Sequence, residues 1–122
     1  MKNIIAIVLV LVVAGCATSR PYTARERRAV AHAVVGQSLD CVTTSMSLQD
    51  ERFSEQNNIW WNPEDTGSML AGKAALIGVV YLIGEIWPDA RYAMFLSIGG
   101  AGYTCAGWNT YQMIKHDVDP WK

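Results

Sequence analysis

Between residues 69 and 114 the chain carries four charged side chains, which are Lys73, Glu85, Asp89 and Arg91. Two long apolar stretches, 68–87 and 92–108, fill this region and are separated by a short polar turn that contains Pro88. A helix of about 17 to 20 apolar residues is long enough to cross the hydrocarbon core of a bilayer. The two stretches therefore predict an antiparallel helical hairpin embedded in a membrane, and the alternative is a hairpin buried in a soluble domain.

Glycine is frequent in both apolar stretches. In a soluble helix each interior glycine costs up to about 1 kcal/mol, whereas in a bilayer small residues let helix backbones approach closely. Small side chains recur at steps of four in the second stretch, at Ser97, Ala101, Cys105 and Asn109. We expect this stripe to face the other arm of the hairpin, with Phe95 on a different face.

A further helix is predicted before the hairpin, over residues 24–49. Thr23 and Glu26 have the spacing of a capping box at its start. Apolar residues recur along it at helical spacing, at Val30, Val34, Val35, Leu39, Cys41, Val42, Met46 and Leu48. This pattern predicts an amphipathic helix that lies in the membrane or enters it. The nearby arginines form either a solvated helix end or a contact with anionic headgroups: Arg20, Arg25, Arg27 and Arg28.

The length of the chain suits one small domain. We expect a single all-α domain over residues 24–112, preceded by a polar tether over residues 16–23. Its helices are predicted at about 24–49, 68–87 and 91–112. Residues 113–122 are predicted to be a polar tail.

The first residues have the pattern of an export signal. A cationic start precedes the apolar run 4–13, which leads into Val13-Ala14-Gly15-Cys16. This junction resembles the lipobox of bacterial lipoproteins. The resemblance implies that residues 1–15 are a cleaved signal peptide and that Cys16 carries acyl chains, so the protein is exported and anchored in a membrane of the cell envelope. The residue after Cys16 is Ala17 and not aspartate, which in that position is the inner-membrane retention signal of enteric bacteria, so this position resembles that of outer-membrane lipoproteins. The apolar hairpin leads us to favour the inner membrane.

The composition and motifs give little sign of catalysis or of nucleic-acid binding. The 10 basic and 11 acidic residues leave no positive surplus for a nucleic acid. The sequence lacks a glycine-rich phosphate loop, G-x-S-x-G, H-E-x-x-H and C-x-x-C, and neither His32 nor His116 has ligand partners at metal-binding spacing. We therefore expect no enzyme, no cofactor and no metal. Cys41 and Cys105 either pack as small apolar residues or form a disulfide.

A small set of polar residues lies in or beside the apolar helices. Asp40 and Thr44 are four residues apart and share one helix face. A carboxylate at membrane depth is costly and needs a partner. The cations closest to the apolar segments are Lys73 and Arg91, and we expect either of them to pair with Asp40 or Glu55. We expect a structural polar network formed by Asp40, Thr44, Glu55, Lys73, Arg91 and Asn109. The alternative is a proton-handling or substrate site.

The order of these residues gives a second resemblance. Asp40-x-x-x-Thr44, then Glu55-Gln56-Asn57, then a hairpin that contains Arg91 and Asn109, is similar to a family of small uncharacterised membrane proteins of bacteria and phages. That family has D-x-x-x-T on a first membrane helix and E-x-N-P in the following loop, and the likeness covers residues 39–112. Here Asn58 occupies the place of the family's proline. The resemblance implies a few membrane helices and no known activity.

These features predict a non-enzymatic envelope lipoprotein that acts through contacts with the membrane or with another envelope protein. A phage or prophage origin is compatible with this hypothesis. One alternative is an intramembrane enzyme or transporter component that uses Asp40 and Glu55. Another is a soluble lipid- or peptide-binding module that is anchored only by Cys16.

Overall fold

A computed structural model describes residues 20–50 and 66–119, and within these ranges the chain is helical and contains no strand. Helix α1 is Ala24–Ser47, helix α2 is Thr66–Ile86 and helix α3 is Arg91–Lys115, with a 3₁₀ turn at Pro88–Ala90 between α2 and α3. The all-α prediction is confirmed.

Helix α1 begins at the predicted capping box. The Thr23 hydroxyl accepts a hydrogen bond from the backbone N–H of Glu26 at 3.2 Å, and the Glu26 carboxylate accepts one from the backbone N–H of Thr23 at 2.7 Å. These bonds satisfy backbone donors that the first turn of a helix leaves open. The helix ends at Ser47, two residues before the predicted boundary.

The turn between α2 and α3 lies where the sequence predicts it. Trp87 leaves the helical conformation, with φ −122° and ψ 77°, and Pro88 follows it in the 3₁₀ turn. Proline cannot continue a helix because its ring clashes with the preceding turn. Helix α3 extends to Lys115, into the segment predicted as a polar tail, and the side chain of Met113 in this added turn is buried.

Helices α1 and α3 run parallel to each other. Near the start of both helices, the Arg25 guanidinium lies 3.8 Å above the ring of Tyr92. Near their ends, the Asn109 amide donates a hydrogen bond to the Thr44 hydroxyl at 2.8 Å. The interface between these two helices is by far the most extensive in the bundle.

Helix α2 runs antiparallel to both α1 and α3. Thr66 at its start lies near Ser45 at the end of α1, with the two hydroxyl oxygens 3.5 Å apart. Tyr81 near its end stacks on Tyr22, which precedes α1, with ring centroids 5.4 Å apart. The antiparallel order of α2 and α3 agrees with a hairpin, but these two arms make few contacts with each other.

The small-residue stripe predicted for α3 is not its packing face. Ser97, Ala101 and Cys105 are exposed. The face turned towards α1 is offset from that stripe and alternates steps of four and three residues, at Phe95, Gly99, Gly102 and Ala106. This alternation follows the period of two helices that pack side by side, whereas a constant step of four drifts around the helix. The expectation that Phe95 lies on a non-packing face is therefore wrong.

Three glycines bring the backbones of α1 and α3 into contact. A Cβ on Gly36 would collide with the carbonyl oxygen of Gly99, and a Cβ on Gly99 would lie 3.0 Å from the backbone nitrogen of Ala33. A Cβ on Gly102 would lie 2.7 Å from the backbone nitrogen of Gln37. Since these neighbours are backbone atoms, they cannot rotate away. The helix spacing therefore requires glycine at all three positions.

The apolar face predicted for α1 lies on the outside of the bundle. Its large side chains are 43–52% exposed, at Val34, Val35, Leu39 and Val42. The buried positions of α1 instead carry small or polar residues, among them Ala29, Ala33, Gly36, Asp40, Thr44 and Ser47. The apolar core cluster is correspondingly small and consists of Ala29, Ala33, Val80 and Phe95. Four of the eight predicted positions therefore point away from the protein, whereas Cys41 is buried and Val30 packs against the core cluster.

Among the described helices, Thr66–Ile86 is the one whose length and composition suit a membrane span. Only 17% of its most apolar window is buried inside the bundle. Helix α3 does not meet the same criterion, because its serine, threonine, asparagine and glycine residues lower the mean hydropathy.

Candidate functional site

A buried group of polar side chains joins all three helices, and we call it the central cluster. It comprises Asp40, Thr43 and Thr44 on α1, Lys73 on α2 and Asn109 on α3. The side chain of Asp40 is 9% exposed and that of Lys73 is 15% exposed. The cluster lies inside the bundle, at a level where the surrounding surface is apolar.

Both carboxylate oxygens of Asp40 are engaged. The Lys73 ammonium forms an ion pair and hydrogen bond with Oδ2. The other oxygen, Oδ1, accepts a hydrogen bond from the Thr44 hydroxyl at 3.3 Å and lies 3.4 Å from the Asn109 amide nitrogen. The helix spacing of four residues places Thr44 directly above Asp40 on one face of α1. The remaining two contacts cross from one helix to another.

The amide of Asn109 links α3 to two hydroxyls of α1. Its nitrogen donates to Thr44 at 2.8 Å and lies 3.3 Å from the Thr43 hydroxyl oxygen. Thr43 in turn donates to the backbone carbonyl of Leu39 at 2.9 Å. Asp40, Thr44 and Asn109 thus form one hydrogen-bonded group across α1 and α3. Such an arrangement holds helices together and leaves no oxygen of Asp40 without a donor.

A second buried group, which we call the end cluster, lies at the turn between α2 and α3. Arg91 is its centre and is fully buried, with 0% exposure. Its guanidinium donates to the carbonyl oxygens of Gly84 at 2.8 Å and Arg20 at 2.7 Å, and to the carboxylate of Glu85 at 3.2 Å. The guanidinium also lies 4.1 Å above the ring of Tyr22. A guanidinium suits this position because it combines several donors with a flat face for stacking.

Arg20 and Glu26 complete the end cluster. Two nitrogens of Arg20 donate to the two carboxylate oxygens of Glu26, at 2.7 and 2.8 Å. These hydrogen bonds, with those from Thr23, lower the pKa of the Glu26 carboxyl to about 2, against a desolvation that acts in the opposite direction. The capping box and the ion pair therefore use the same carboxylate, which fixes residues 20–23 to the start of α1.

Burial raises the pKa of Tyr22 to about 12. The phenol therefore stays neutral across the physiological range. Its ring lies between Tyr81 of α2 and Arg91 of α3, so it fills the space between the end of α2 and the start of α3.

The structure brings together four of the six residues expected to form one polar network: Asp40, Thr44, Lys73 and Asn109. Arg91 does not join them, because it lies at the opposite end of α1 and pairs with Glu85. The sixth residue, Glu55, lies outside the described residues, as does Cys16. The two remaining cysteines are thiols and do not form a disulfide, with Cys41 buried and Cys105 exposed.

Sequence reasoning missed the end cluster. Arg20, Tyr22 and Glu26 were assigned to a tether and a helix cap, and their joint contact with Arg91 was not anticipated. A usable signal was present, because Glu85 and Arg91 flank a short turn and are six residues apart. Tyr22 gave no comparable signal, since its position depends on the packing of all three helices.

The outer surface of the bundle is apolar. Large exposed side chains occur on every helix, namely Val34, Val35, Leu39, Val42, Leu70, Leu76, Val79, Tyr81, Trp87, Leu96, Tyr103, Trp108, Tyr111 and Ile114. Large contiguous apolar patches are uncommon on soluble monomers. Polar and charged side chains meanwhile occupy the interior, in the central and end clusters.

Within the described residues, no group of three or more histidine, cysteine, aspartate or glutamate side chains is placed to hold a metal ion. His32 contacts the Tyr103 hydroxyl at 3.4 Å. The likeness to bacterial lipoproteins and to the family with D-x-x-x-T and E-x-N-P motifs remains a prediction. Comparison with known proteins finds no matching family model, no similar curated protein and no similar solved structure.

Proposed function

We propose that the chain is a small, non-enzymatic membrane protein of the bacterial cell envelope whose helical bundle is embedded in the lipid bilayer. The observation that carries this proposal is the reversed distribution of side chains. Ion pairs and amides are buried between the helices, and valine, leucine and aromatic side chains point outwards. In lipid this is the favourable arrangement, because polar groups need protein partners and apolar groups do not need burial.

The middle part of the bundle, which we call the uncharged belt because its outer surface carries no charged side chain, supports the same proposal. It covers residues 29–48 of α1, 66–84 of α2 and 92–114 of α3, each about 30 Å long at 1.5 Å per residue. Two residues of the belt carry a charge at neutral pH, Asp40 and Lys73, and they pair with each other inside the bundle. The surface that would meet the hydrocarbon core therefore carries no unpaired charge.

Aromatic side chains lie close to the two edges of this belt. Trp87 and Tyr92 lie at the end that carries the arginines, and Trp87 is 63% exposed. Trp108 and Tyr111 lie on α3 towards its other end and contact each other, with ring centroids 5.7 Å apart. Tryptophan and tyrosine favour such positions because their rings are apolar while their N–H and O–H groups need water.

We include in the proposal an acyl anchor on Cys16 and an action through contacts with membrane lipid or with another envelope protein. The inner membrane is favoured over the outer, since apolar helices of this length are the expected content of the former. The central cluster then has a structural role, as the polar link between helices. The engagement of both Asp40 carboxylate oxygens by donors from three helices supports this role over the alternative of an intramembrane enzyme or transporter that uses Asp40 and Glu55.

Membrane fractionation tests the proposal. Membranes from cells that produce the wild type or Cys16→Ser are washed with alkaline carbonate, which releases proteins that are neither embedded in the bilayer nor anchored by acyl chains. We expect both forms to remain in the membrane pellet, because the bundle itself is embedded. Release of Cys16→Ser with retention of the wild type would instead identify a soluble module held only by its lipid. Release of both forms would refute membrane insertion and acyl anchoring together.

A further inference from the structure

The arginines at one end of the bundle fall into two groups. Arg20 and Arg91 each pair with a carboxylate, Glu26 and Glu85 respectively. The second group, which we call the arginine patch, consists of Arg25, Arg27 and Arg28 on the first turns of α1, and all three side chains are exposed. Within residues 20–50 and 66–119, none of these three forms an ion pair with a carboxylate.

The arginine patch is positioned by contacts that leave its charge uncompensated. The guanidinium of Arg25 lies 3.8 Å above the ring of Tyr92. Arg27 donates to the carbonyl oxygen of Tyr22 at 2.6 Å, and Arg28 donates to the carbonyl oxygen of Ala24 at 3.3 Å. These partners are neutral, so each guanidinium keeps its full charge and further donors. Because the side chains are already held in place, they lose less freedom when they bind a ligand.

The local electrostatics favour an anion at this position. The start of a helix carries a partial positive charge, and basic residues there add to it instead of neutralising it. In α1 the one acidic residue of the first turn, Glu26, is occupied by Arg20 and by the cap. The other two carboxylates at this end, Glu85 and Asp89, lie beside Arg91 and Arg20. The positive potential of the helix end therefore adds to that of three exposed guanidinium groups, none of which pairs with a carboxylate of the described residues.

The patch also lies at the edge of the uncharged belt. Arg28 immediately precedes Ala29, where the belt begins on α1. If the belt spans the hydrocarbon core, the three guanidinium groups lie at the level of the lipid phosphates. Guanidinium matches phosphate geometrically because its paired N–H donors can bind two oxygens.

We infer that Arg25, Arg27 and Arg28 form a docking surface for the phosphate groups of anionic phospholipids. This inference rests on the proposed membrane location and adds to it a preference for one class of lipid. A cation near an anionic membrane surface contributes about 1 kcal/mol, which is about fivefold in affinity, so three contribute about 100-fold.

The test uses the full chain in mixed micelles of a non-ionic detergent that contain phosphatidylglycerol and phosphatidylcholine in equal amounts. Native mass spectrometry then measures the ratio of the two lipids retained by the protein. We expect the wild type to retain mainly phosphatidylglycerol. The variant Arg25→Gln/Arg27→Gln/Arg28→Gln should lose this preference by about 100-fold, whereas Lys115→Gln, which removes a cation from the opposite end, should keep it.

Several outcomes would overturn the inference. Equal retention of both lipids by the wild type would do so, as would an unchanged preference in the triple variant. Displacement of phosphatidylglycerol by inorganic phosphate at the same concentration would identify a site for free phosphate instead of a lipid surface. If the triple variant does not fold, Arg25→Gln and Arg28→Gln are measured singly, and each should lower the preference about fivefold; no change in either would contradict us.

Carbonate extraction separates this inference from the proposed function. A triple variant that stays in the membrane pellet but has lost its lipid preference supports both. A wild type that is extracted by carbonate refutes membrane embedding whatever its lipid preference. A wild type that stays in the pellet without a lipid preference refutes the docking surface alone.

Discussion

Two adjacent glycine positions on α3 provide a sharp test of the close contact between α1 and α3. Gly102 faces α1, and a Cβ added there would lie 2.7 Å from the backbone nitrogen of Gln37. Gly100 faces outwards, and a Cβ added there meets no atom within 4 Å. The same chemical change, glycine to alanine, can therefore be made with and without a backbone collision on one helix.

The size of the expected effect follows from the distances. An ordinary contact for a Cβ begins at 3.4 Å, and the carbonyl oxygen of Gly36 lies 2.5 Å from the Cβ position of Gly102, so Gly102→Ala must move the two helices apart by about 0.9 Å. The same shift would stretch the Gln37–Ile98 hydrogen bond from 2.6 Å and the Asn109–Thr44 bond from 2.8 Å towards the limit of such bonds. Overpacking of this kind costs about 1–3 kcal/mol, and weakened hydrogen bonds add about 1 kcal/mol.

The control cancels the effect of helix propensity. Both substitutions replace an interior glycine by alanine, and this replacement stabilises the helix by up to about 1 kcal/mol in each case. We therefore expect Gly100→Ala to be neutral or stabilising and Gly102→Ala to be less stable than Gly100→Ala by about 2–4 kcal/mol. The assay is unfolding of the detergent-solubilised protein by sodium dodecyl sulfate, followed by circular dichroism at 222 nm. Equal stability of the two variants would show that the backbones of α1 and α3 are not in contact.

Three further predictions concern individual side chains. Asp40→Ala should lower the free energy of unfolding by about 3–5 kcal/mol in the same assay, because the buried Lys73 ammonium loses its ion pair with Asp40, and Asp40→Asn should lower it less; an Asp40→Asn protein that folds normally but loses its cellular phenotype would instead indicate a chemical role. The stability that Glu26 contributes should be fully present above its ordinary pKa of 4.5 and should disappear as the pH falls towards its folded pKa of about 2. Glu26→Gln should remove this part of the pH dependence in acid titrations, and an unchanged acid transition would contradict the pairing with Arg20. A fatty-acid probe should label the wild type but not Cys16→Ser, and equal labelling of both would rule out the lipobox.

The helices themselves could be predicted from local signals. The capping box of Thr23 and Glu26 marked the start of α1 correctly, and Pro88 marked the break between α2 and α3. These signals act through the backbone of their own segment and need no knowledge of neighbouring helices. The end of α3 was predicted three residues too early, because the burial of Met113 in the added turn is not visible in the local sequence pattern.

The faces of the helices could not be predicted in the same way. Periodicity shows that the valines and leucines of α1 share a face, but it does not show whether that face meets protein or lipid. Whether such a face meets protein or lipid depends on the medium that surrounds the protein, and the sequence pattern carries no information about that medium. The small and polar residues on the opposite face, such as Ala33 and Asp40, were the better guide to the packing surface, because only small residues allow the backbone contact seen at Gly36.

The sequence alone also did not determine which cation pairs with Asp40. Lys73 and Arg91 were equally plausible cations, and the choice depends on which of them reaches the level of Asp40 along α1. Helix α2 runs antiparallel to α1, so Lys73, near the start of α2, lies beside the second half of α1. Arg91 starts a helix parallel to α1 and therefore lies beside the start of α1. Helix direction thus decides the pairing, and helix direction is a property of the assembled bundle.

The two polar clusters together determine how α2 is attached. Helix α2 buries few apolar side chains against its neighbours, and in a bilayer apolar contact would give it no preferred orientation. Two of its buried polar contacts lie at well-separated levels, at Lys73 and at Gly84, which are about 17 Å apart along the helix axis at 1.5 Å per residue. One contact would leave α2 able to pivot about it, whereas two contacts at different levels fix both its rotation and its height. The buried charges therefore fix the position of α2 in the bundle, whereas close backbone packing fixes the positions of α1 and α3.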